Sequence, residues 1–336
     1  MRRLKVEAID PGTMRAFRDI TPLVSSSGGS IEIDNSNELH MSGALRYIGI
    51  DTWLSSLMRV NMIDDDGSNH CLGTFFATPK DAERTGRLIQ GELQLDSTLL
   101  ALSSTLLPST YVATIGATAK SVVADMCRIA GRAALIDTGG GARYGEPVFF
   151  EAGTSCLSVA QEAAEKAGFI LSTDKLGYIT LTPRTPNPGD AERWSTASGT
   201  DITSIIKKST SWVSSPTRVI ATYNDSESTL SASASIPESE MDAATRGRHI
   251  DATVNITDML TPDIVSLRNE AENAIKTQQI DSEWTFTSLI RDTDAGVPCK
   301  VIDLDQNEML TGIVSHITIK LDELLTMDVT ARGVTS

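Results

Sequence analysis

The sequence is poor in the residues and segments that most often signal chemistry or membrane insertion. Its 336 residues include 4 cysteines and 4 histidines, and aromatic side chains make up 5%. No run approaches the ~18 consecutive apolar residues that a spanning helix needs, so membrane insertion is not expected. The basic start, Met1–Lys5, leads into Val6-Glu7 and not into an apolar run, so an export signal is not expected either.

The scarce cysteines and histidines form no catalytic or metal-binding pattern. The cysteines are isolated and lack a CxxC pair, which is typical of free thiols in a reducing compartment. They are Cys71, Cys127, Cys156 and Cys299. The histidines have no i, i+4 pair, so no HExxH zinc helix exists. They are His40, His70, His249 and His316. Cys71 follows His70 directly, but neighbours on a strand point to opposite faces, so a thiol enzyme is not expected.

Positive charge is also scarce, because the formal net charge is −15 and the acidic excess is spread along the chain. Affinity for duplex DNA comes largely from Lys and Arg that neutralise phosphate, so an acidic surface disfavours tight DNA binding. Simple solubility explains such a charge. The alternative is an acidic passage that DNA traverses without sticking.

Other motifs that imitate reactive sites fail on spacing. Gly139–Gly145 resembles a phosphate loop but contains no Gly-Lys-Ser/Thr. The acidic turns at 64–67 and 303–307 resemble calcium loops, but position 12 of an EF-hand would be Phe75 or Val314 and not Glu. They are predicted to be hairpin turns, with a weakly bound cation as the alternative. Glu151, beside two phenylalanines, is the best candidate for a glycosidase acid, and a second carboxylate ~5 Å away cannot be recognised from sequence. We therefore predict no catalytic residues, no cofactor-binding residues and no metal site.

What the chain does contain is enough apolar residues, 40%, for real cores, arranged in β-rich and helical parts. Period-two alternation predicts strands through most of the first hundred residues and again after a proline-rich linker at 183–189. The fold class predicted is α+β and β-rich. The predicted domains are a first β-domain at 1–109, a small α/β domain with two helices and a hairpin at 110–183, a second β-domain at 184–255 and 291–336, and a helix–strand insertion at 256–290.

Three helices are predicted from apolar faces at helical spacing. Thr118 opens the first helix and Gly131 ends it, Thr154 or Ser155 caps the second, and Thr261-Pro262 starts the third. The residues predicted to face the core are Val122, Val123, Met126, Cys127 and Ala130 in the first helix, Leu157, Ala160, Ala164 and Ala167 in the second, and Ile264, Leu267, Ala271 and Ala274 in the third.

Two stretches near opposite ends of the chain share one pattern. Arg59–Leu95 and Lys300–Val329 each run from a basic residue through a strand, an acidic turn, a Leu shortly before Gly, and two further strands. Any two exposed meanders share acidic turns and alternating strands, so chance likeness is the alternative. A duplicated β-module is more often a building device than a catalytic one, which directs the search for function toward assembly.

The order of these parts resembles the tail hub, or baseplate hub, proteins of tailed bacteriophages and related contractile injection machines. The segments that carry the resemblance are Ile31–Asp34 through Ser42–Leu45, Leu72–Pro79, Leu99–Leu102, Ala119–Gly131, Ser158–Pro183 and Val297–Ile302. The likeness covers most of the chain and lies in order and spacing. The long C-terminal extensions of some relatives, which carry hydrolases or host-binding modules, do not occur in this sequence.

The resemblance implies a non-enzymatic structural virion protein with two related β-barrel-like tube domains. Three subunits would then form a pseudo-sixfold ring that joins the hexameric tail tube to the tail tip and lines the channel for genome ejection. The implied partners are two further copies, a distal tail protein or tail-tube ring, a tape measure protein, and a tail fibre or tip protein; DNA would pass without specific binding. The implied location is the virion tail tip, after assembly in the host cytoplasm. Two alternatives stay open: a tail-associated peptidoglycan hydrolase or protease, and the hub of a contractile injection or secretion spike.

Overall fold

The structure is a computed structural model that describes most of the chain. The described residues are 2–34, 36–49, 57–85, 88–132, 143–144, 146–167, 169–183, 191–197, 202–210, 216–224, 229–236, 249–256, 264–278, 282–322 and 324–335. They belong to two compact units. Unit 1 consists of Met1–Asp190, Thr287–Val297 and Ser315–Val329, and unit 2 consists of Ala191–Phe286, Pro298–Val314 and Thr330–Ser336. Among the described residues, no helix combines the length and the apolar character needed to cross a bilayer.

The larger sheet of unit 1 is built from the alternating segments near the N-terminus. Its strands are β1 (Arg3–Ile9), β2 (Ala16–Asp19), β3 (Val24–Asp34), β4 (Met41–Gly49), β5 (Leu57–Ile63), β6 (Asn69–Thr85) and β7 (Leu88–Ser97), with a 3-10 turn at Thr21–Leu23. They lie in the order β3-β4-β7-β6-β5-β1-β2, and each neighbouring pair is antiparallel. Val60, Phe75 and Leu93 lie in the core, and β5 carries buried residues on both of its faces.

Unit 1 also contains a core built around helices, and it includes the two helices and the hairpin predicted for 110–183. Its elements are α1 (Leu100–Ser104), β8 (Tyr111–Ala113), α2 (Ala119–Ile129), β9 (Val148–Phe150), α3 (Cys156–Lys166), β10 (Phe169–Thr173) and β11 (Ile179–Pro183). Thr118 forms a capping box with Ser121, and Ser155 caps α3. The predicted core faces of both helices are buried except at their C-terminal ends, where Ala130 and Ala167 are half-buried. The short helix α1 is not predicted.

The described strands of unit 2 belong to two sheets. Its elements are β12 (Glu192–Ser195), β13 (Lys207–Thr210), β14 (Arg218–Asn224), β15 (Thr229–Ser235), β16 (Asp251–Ile256), α4 (Ile264–Gln278), β17 (Ser282–Leu289), β18 (Pro298–Asp303), β19 (Glu308–Lys320) and β20 (Thr326–Thr335), of which β17, β19 and β20 also contribute residues to unit 1. One sheet has the order β15-β14-β16, and α4 packs on it through Leu267, Ala271 and Ile275. The prediction that Ile264 faces this core is wrong: its side chain is 56% exposed, because it lies in the first turn of α4 and the buried stripe begins at Leu267.

The strand order repeats between the two halves of the chain. We define the first module as β1 and β3–β7, and the second module as β12, β13 and β17–β20. Their strands lie in the orders β3-β4-β7-β6-β5-β1 and β13-β17-β20-β19-β18-β12. Numbered along the chain within each module, both orders read second, third, sixth, fifth, fourth, first. The modules differ at the last pair, which is antiparallel for β1 and β5 and parallel for β12 and β18.

The β-rich fold class is confirmed. The predicted meanders exist, because β5-β6-β7 and β18-β19-β20 are consecutive neighbours in their sheets. The pairings of the described strands close no barrel, so the barrel-like form of the tube domains stays a prediction. The four predicted domain boundaries stay predictions as well. The linker after Pro183 and the predicted helix start at Thr261-Pro262 lie outside the described residues.

Candidate functional site

The two modules carry matching acidic turns between their fourth and fifth strands. In the first, Asp64 and Ser68 close the turn and Gly67 has φ 86°. In the second, Asp303 pairs with Glu308 and Asn307 has φ 53°. Gly and Asn are the residues that adopt this left-handed conformation most readily. The two turns therefore reverse the chain by the same local device.

The carboxylates of the first turn accept hydrogen bonds from nearby protein groups. Asp64 accepts from Arg2 Nε at 2.7 Å, and its second oxygen lies 3.1 Å from His70 Nε2. Asp66 accepts from the hydroxyl of Ser68 at 2.6 Å and from its backbone N–H at 2.8 Å. These hydrogen bonds lower the pKa of Asp66 below its ordinary value.

The second turn is held by a lysine from another strand of unit 2. Lys208 on β13 donates to Asp303 at 2.5 Å and to Glu308 at 2.8 Å, and its Nζ lies 4.6 Å from the centre of the Trp284 ring. Burial lowers the pKa of Lys208, but the hydrogen bonds and charges of both carboxylates outweigh burial, so the pKa is raised overall. This cluster joins residues about a hundred positions apart, and no signal in the sequence predicts it.

The arrangement of both turns suits hairpin connections, because arginine, lysine, serine and histidine side chains already contact their carboxylates. Within the described ranges, no three His, Cys, Asp or Glu residues lie close enough together to hold a metal ion. The alternative of a weakly bound cation at either turn gains no support from these contacts.

The four cysteines are free thiols, three of them buried and Cys71 half-buried. Burial raises the pKa of Cys71 and of Cys156, and it raises that of Cys127 to about 12. Cys71 Sγ donates to the backbone carbonyl of Lys175 at 3.1 Å. Because the thiolate and not the thiol is the nucleophile, these environments disfavour cysteine chemistry.

The histidines are dispersed over the fold. His40 is buried, with Nε2 3.2 Å from Asp294 Oδ1, and His316 has Nδ1 3.4 Å from Asp34 Oδ2. His249 is exposed on unit 2. His70 and Cys71 both line one cleft, together with their neighbours Asn69 and Leu72. They take different partners, Asp64 and the Lys175 carbonyl.

That cleft, in unit 1, has a cavity volume of about 400 Å³. Lys175 on its wall makes an ion pair with Asp292. Glu151 lies elsewhere, on the surface, and not in the apolar pocket that a glycosidase acid requires. Most of the Gly139–Gly145 loop lies outside the described residues. No arrangement of nucleophile, base and orienting group follows from these positions.

No family model and no curated protein matches the sequence. Solved structures with the same fold do match the chain. A tail protein from Neisseria meningitidis MC58 is 13% identical with a TM-score of 0.67, over 98% of this chain and 96% of that one. The 43 kDa tail protein of prophage MuSo2 from Shewanella oneidensis is 11% identical with a TM-score of 0.67, over 98% and 97%. The chain has the fold of phage tail proteins.

The tail-protein fold also extends to a secretion component. The E. coli c3393 protein, a component of the type VI secretion system that is structurally similar to the T4 tail proteins gp27 and gp5, is 10% identical with a TM-score of 0.51. The match covers 93% of this chain and 73% of that one. The resemblance seen in the sequence is therefore confirmed for the fold along nearly the whole chain.

Proposed function

We propose that this chain is a structural tail protein, the trimeric hub that joins the hexameric tail tube to the tail tip. The observation that carries the proposal is the repeated strand order of the two modules within a tail-protein fold. Two related modules in each of three subunits supply six similar positions around one axis. Such a ring can meet a sixfold tube on one side and a threefold tip on the other.

The proposal includes the predicted tube-type domains, the peripheral α/β domain and the inserted helical segment. Its partners would be the distal tail protein or tube ring, the tape measure protein, and a fibre or tip protein at the end of the virion tail. The net charge of −15 suits a channel wall that DNA passes without being held.

We also propose that the hub has no enzymatic activity. The candidate groups support this, because burial raises the pKa of Cys71, Cys127 and Cys156, Glu151 is exposed, and the acidic turns are bonded to other side chains. The competing function is a tail-associated peptidoglycan hydrolase or protease. Purified protein should release no soluble product from peptidoglycan or casein. Reproducible activity that disappears when one carboxylate or cysteine is replaced would overturn this part of the proposal.

A hub of a contractile injection or secretion spike is the second candidate, favoured by the fold likeness to the E. coli secretion component. A sheath gene beside the gene for this chain would support the contractile machine, and its absence would support a non-contractile tail.

Oligomeric state tests the central proposal. Light scattering of the purified chain, alone and with its tail-tube protein, should give a mass about three times 36.0 kDa for the hub. Electron micrographs should show a ring with six similar densities at the tail tip. Monomers under both conditions, together with tails whose tip lacks the ring, would contradict it.

A further inference from the structure

The helical core of unit 1 contains one local pattern twice. A three-residue strand leads through a tight turn into an 11-residue helix, first from β8 to α2 and then from β9 to α3. Gly116 and Gly153 lie in the two turns, with φ values of 82° and 88°. Thr118 and Ser155 cap the two helices, and each hydroxyl oxygen accepts a hydrogen bond from a backbone N–H of the first turn, at 3.2 and 3.1 Å. The same local devices therefore build both segments.

The two segments also correspond residue by residue. We call residues 111–130 the first copy and residues 148–167 the second copy. Each residue of the first copy has its counterpart in the second at the separation between Gly116 and Gly153. The identical counterparts are Gly116 and Gly153, Ser121 and Ser158, Val122 and Val159, and Ala130 and Ala167.

The strands β8 and β9 pair antiparallel in a register that is symmetric about one pair. Val112 lies opposite Phe149, which is its own counterpart in the second copy. An antiparallel pair with this register has a local two-fold axis through the Val112–Phe149 pair. The flanking pairs map onto each other when the copies are interchanged, and they are Tyr111 with Phe150 and Val148 with Ala113.

The backbone that precedes each copy obeys the same axis. The N–H of Leu107 donates to the carbonyl of Thr154 at 2.9 Å, and the N–H of Tyr144 donates to the carbonyl of Ala117 at 2.9 Å. Leu107 and Tyr144 are counterparts, as are Ala117 and Thr154. In return, the carbonyls of Leu107 and Tyr144 accept from the glycine N–H in the turn of the other copy, at 2.9 and 2.8 Å. The segment before each copy thus closes the turn of the other copy, so the two are interlocked.

Burial in the helices follows the axis as well. The helices α2 and α3 pack on each other, and counterparts in their shared core are buried in both copies. These pairs are Val122 and Val159, Val123 and Ala160, Met126 and Ala163, and Cys127 and Ala164. In the last three pairs, α2 carries the larger side chain and α3 carries alanine. The shared core is therefore filled by larger side chains from one helix and small ones from the other.

The copies differ in burial where their surroundings differ. Lys120 on α2 is exposed, whereas its counterpart Leu157 on α3 is buried. The helix α3 also packs against α1 and β10, and among the described elements α2 has no comparable second contact. The second copy therefore carries the attachment to the rest of unit 1, and an apolar residue stands there in place of a charged one.

We propose that residues 111–130 and 148–167 are two copies of one strand–turn–helix unit, joined as an interlocked dimer within one chain. Capped helices after tight turns are common by chance. Chance does not give the strand register, the reciprocal hydrogen bonds and the buried positions one constant separation. The interface has the self-complementary form of a two-fold dimer, in which each contact occurs a second time with the partners interchanged. The helices α2 and α3 should therefore open and close as one cooperative body.

An exchange of core residues between the copies tests the axis. The first half exchange removes the larger side chains from α2, and the second half exchange adds them to α3. Each alone should speed hydrogen exchange of the amides in both helices by roughly tenfold or more, the first through cavities and the second through overpacking. Both halves together restore the packing with the copies interchanged and should recover most of the lost protection. The changes are Val123→Ala, Met126→Ala and Cys127→Ala in the first half, and Ala160→Val, Ala163→Met and Ala164→Cys in the second.

A scrambled exchange is the matched control. It keeps the first half but introduces Ala160→Met, Ala163→Cys and Ala164→Val, so its composition equals that of the full exchange while the positions break the axis. This variant should stay as poorly protected as a half exchange. Equal protection in the full and the scrambled exchange, whether high or low, would overturn the local two-fold relation.

The identical valines give a second test that needs only one change at a time. Val122 and Val159 are counterparts, and both are 0% exposed. Val122→Ala and Val159→Ala should each speed exchange in both helices, by factors that agree within about threefold, because their surroundings are equivalent. Lys120→Ala, on the exposed side of α2, should leave the α3 amides unchanged and serves as the control. Faster exchange confined to the altered helix, or factors further apart than about threefold, would contradict the interlocked dimer.

Both measurements use the whole chain, and neither requires a ring. A failure in either removes the duplication and leaves the proposed hub as it stands. A chain that shows the expected exchange pattern but never forms a trimer would contradict the hub alone.

Discussion

Thr118 shows how one side chain begins a helix in this protein. Its hydroxyl accepts a hydrogen bond from the Ser121 N–H, and the Ser121 hydroxyl accepts one from the Thr118 N–H. Thr118→Ala should destabilise α2 by ~1 kcal/mol because one helical N–H loses its partner. Thr118→Ser keeps the oxygen and should cost much less. Hydrogen exchange of the α2 amides measures both, and equal protection in Thr118→Ala and the native chain would contradict the prediction.

Because of Lys208, the stability of unit 2 should decrease at alkaline pH. Asp303 and Glu308 raise the pKa of Lys208 above its value in the unfolded chain. Its stabilising contribution is therefore complete below the unfolded pKa of ~10.4 and is lost as pH rises through the higher folded value. The unfolding free energy of the native chain should fall above ~pH 10.4 more steeply than that of Lys208→Met, which cannot titrate.

The control for this prediction is Lys300→Met on β18, whose lysine is exposed. This variant should keep the alkaline loss of stability seen in the native chain. Denaturant titrations at several pH values between neutral and alkaline measure the slopes. If the Lys208 and Lys300 variants lose stability in parallel, the pairing with Asp303 and Glu308 does not matter for folding.

At the scale of elements, α4 shows that helical spacing alone does not determine which residues are buried. Leu267 and Ile264 share one predicted face, yet Leu267 is 0% exposed and Ile264 is 56% exposed. Leu267→Ala should destabilise the β14–β16 sheet and its helix by ~2–5 kcal/mol. Ile264→Ala, a truncation of similar size on the same helix, should stay within ~0.5 kcal/mol. Limited proteolysis and hydrogen exchange over 216–278 report the difference, and equal effects would contradict this packing.

Element boundaries were predicted best where local signals are strong. Both capped helices begin at their predicted caps, and the first ends shortly before Gly131. Helix α1 was not predicted because five residues are too few to show a helical pattern of apolar residues. The pairing of β14 with β16 was missed because strand partners far apart in sequence leave no local pattern.

At the scale of the whole molecule, the charge predicts weak interaction with nucleic acid. With a net charge of −15, the assembled chain has no sequence-wide excess of Lys and Arg to neutralise phosphate. Fluorescence anisotropy with duplex DNA should show no binding at ~0.15 M salt, where nonspecific DNA binders have dissociation constants of ~10⁻⁴–10⁻⁶ M. Binding in that range with a steep salt dependence would indicate a basic surface formed on assembly and would contradict a passive channel.

The sequence by itself determined the local parts of this protein: alternating strands, two capped helices, and two meanders with acidic turns. These depend on side-chain period and on turn and cap residues, all of which act within a few positions. Only the tertiary structure decided that β12 runs parallel to β18, that Lys208 holds the second acidic turn, and that Ile264 is exposed. An apolar face shows that a helix or strand must pack against another element. Which element that is depends on contacts between residues far apart in the sequence. For the same reason, the repeated strand order became visible only when all the strands were in place.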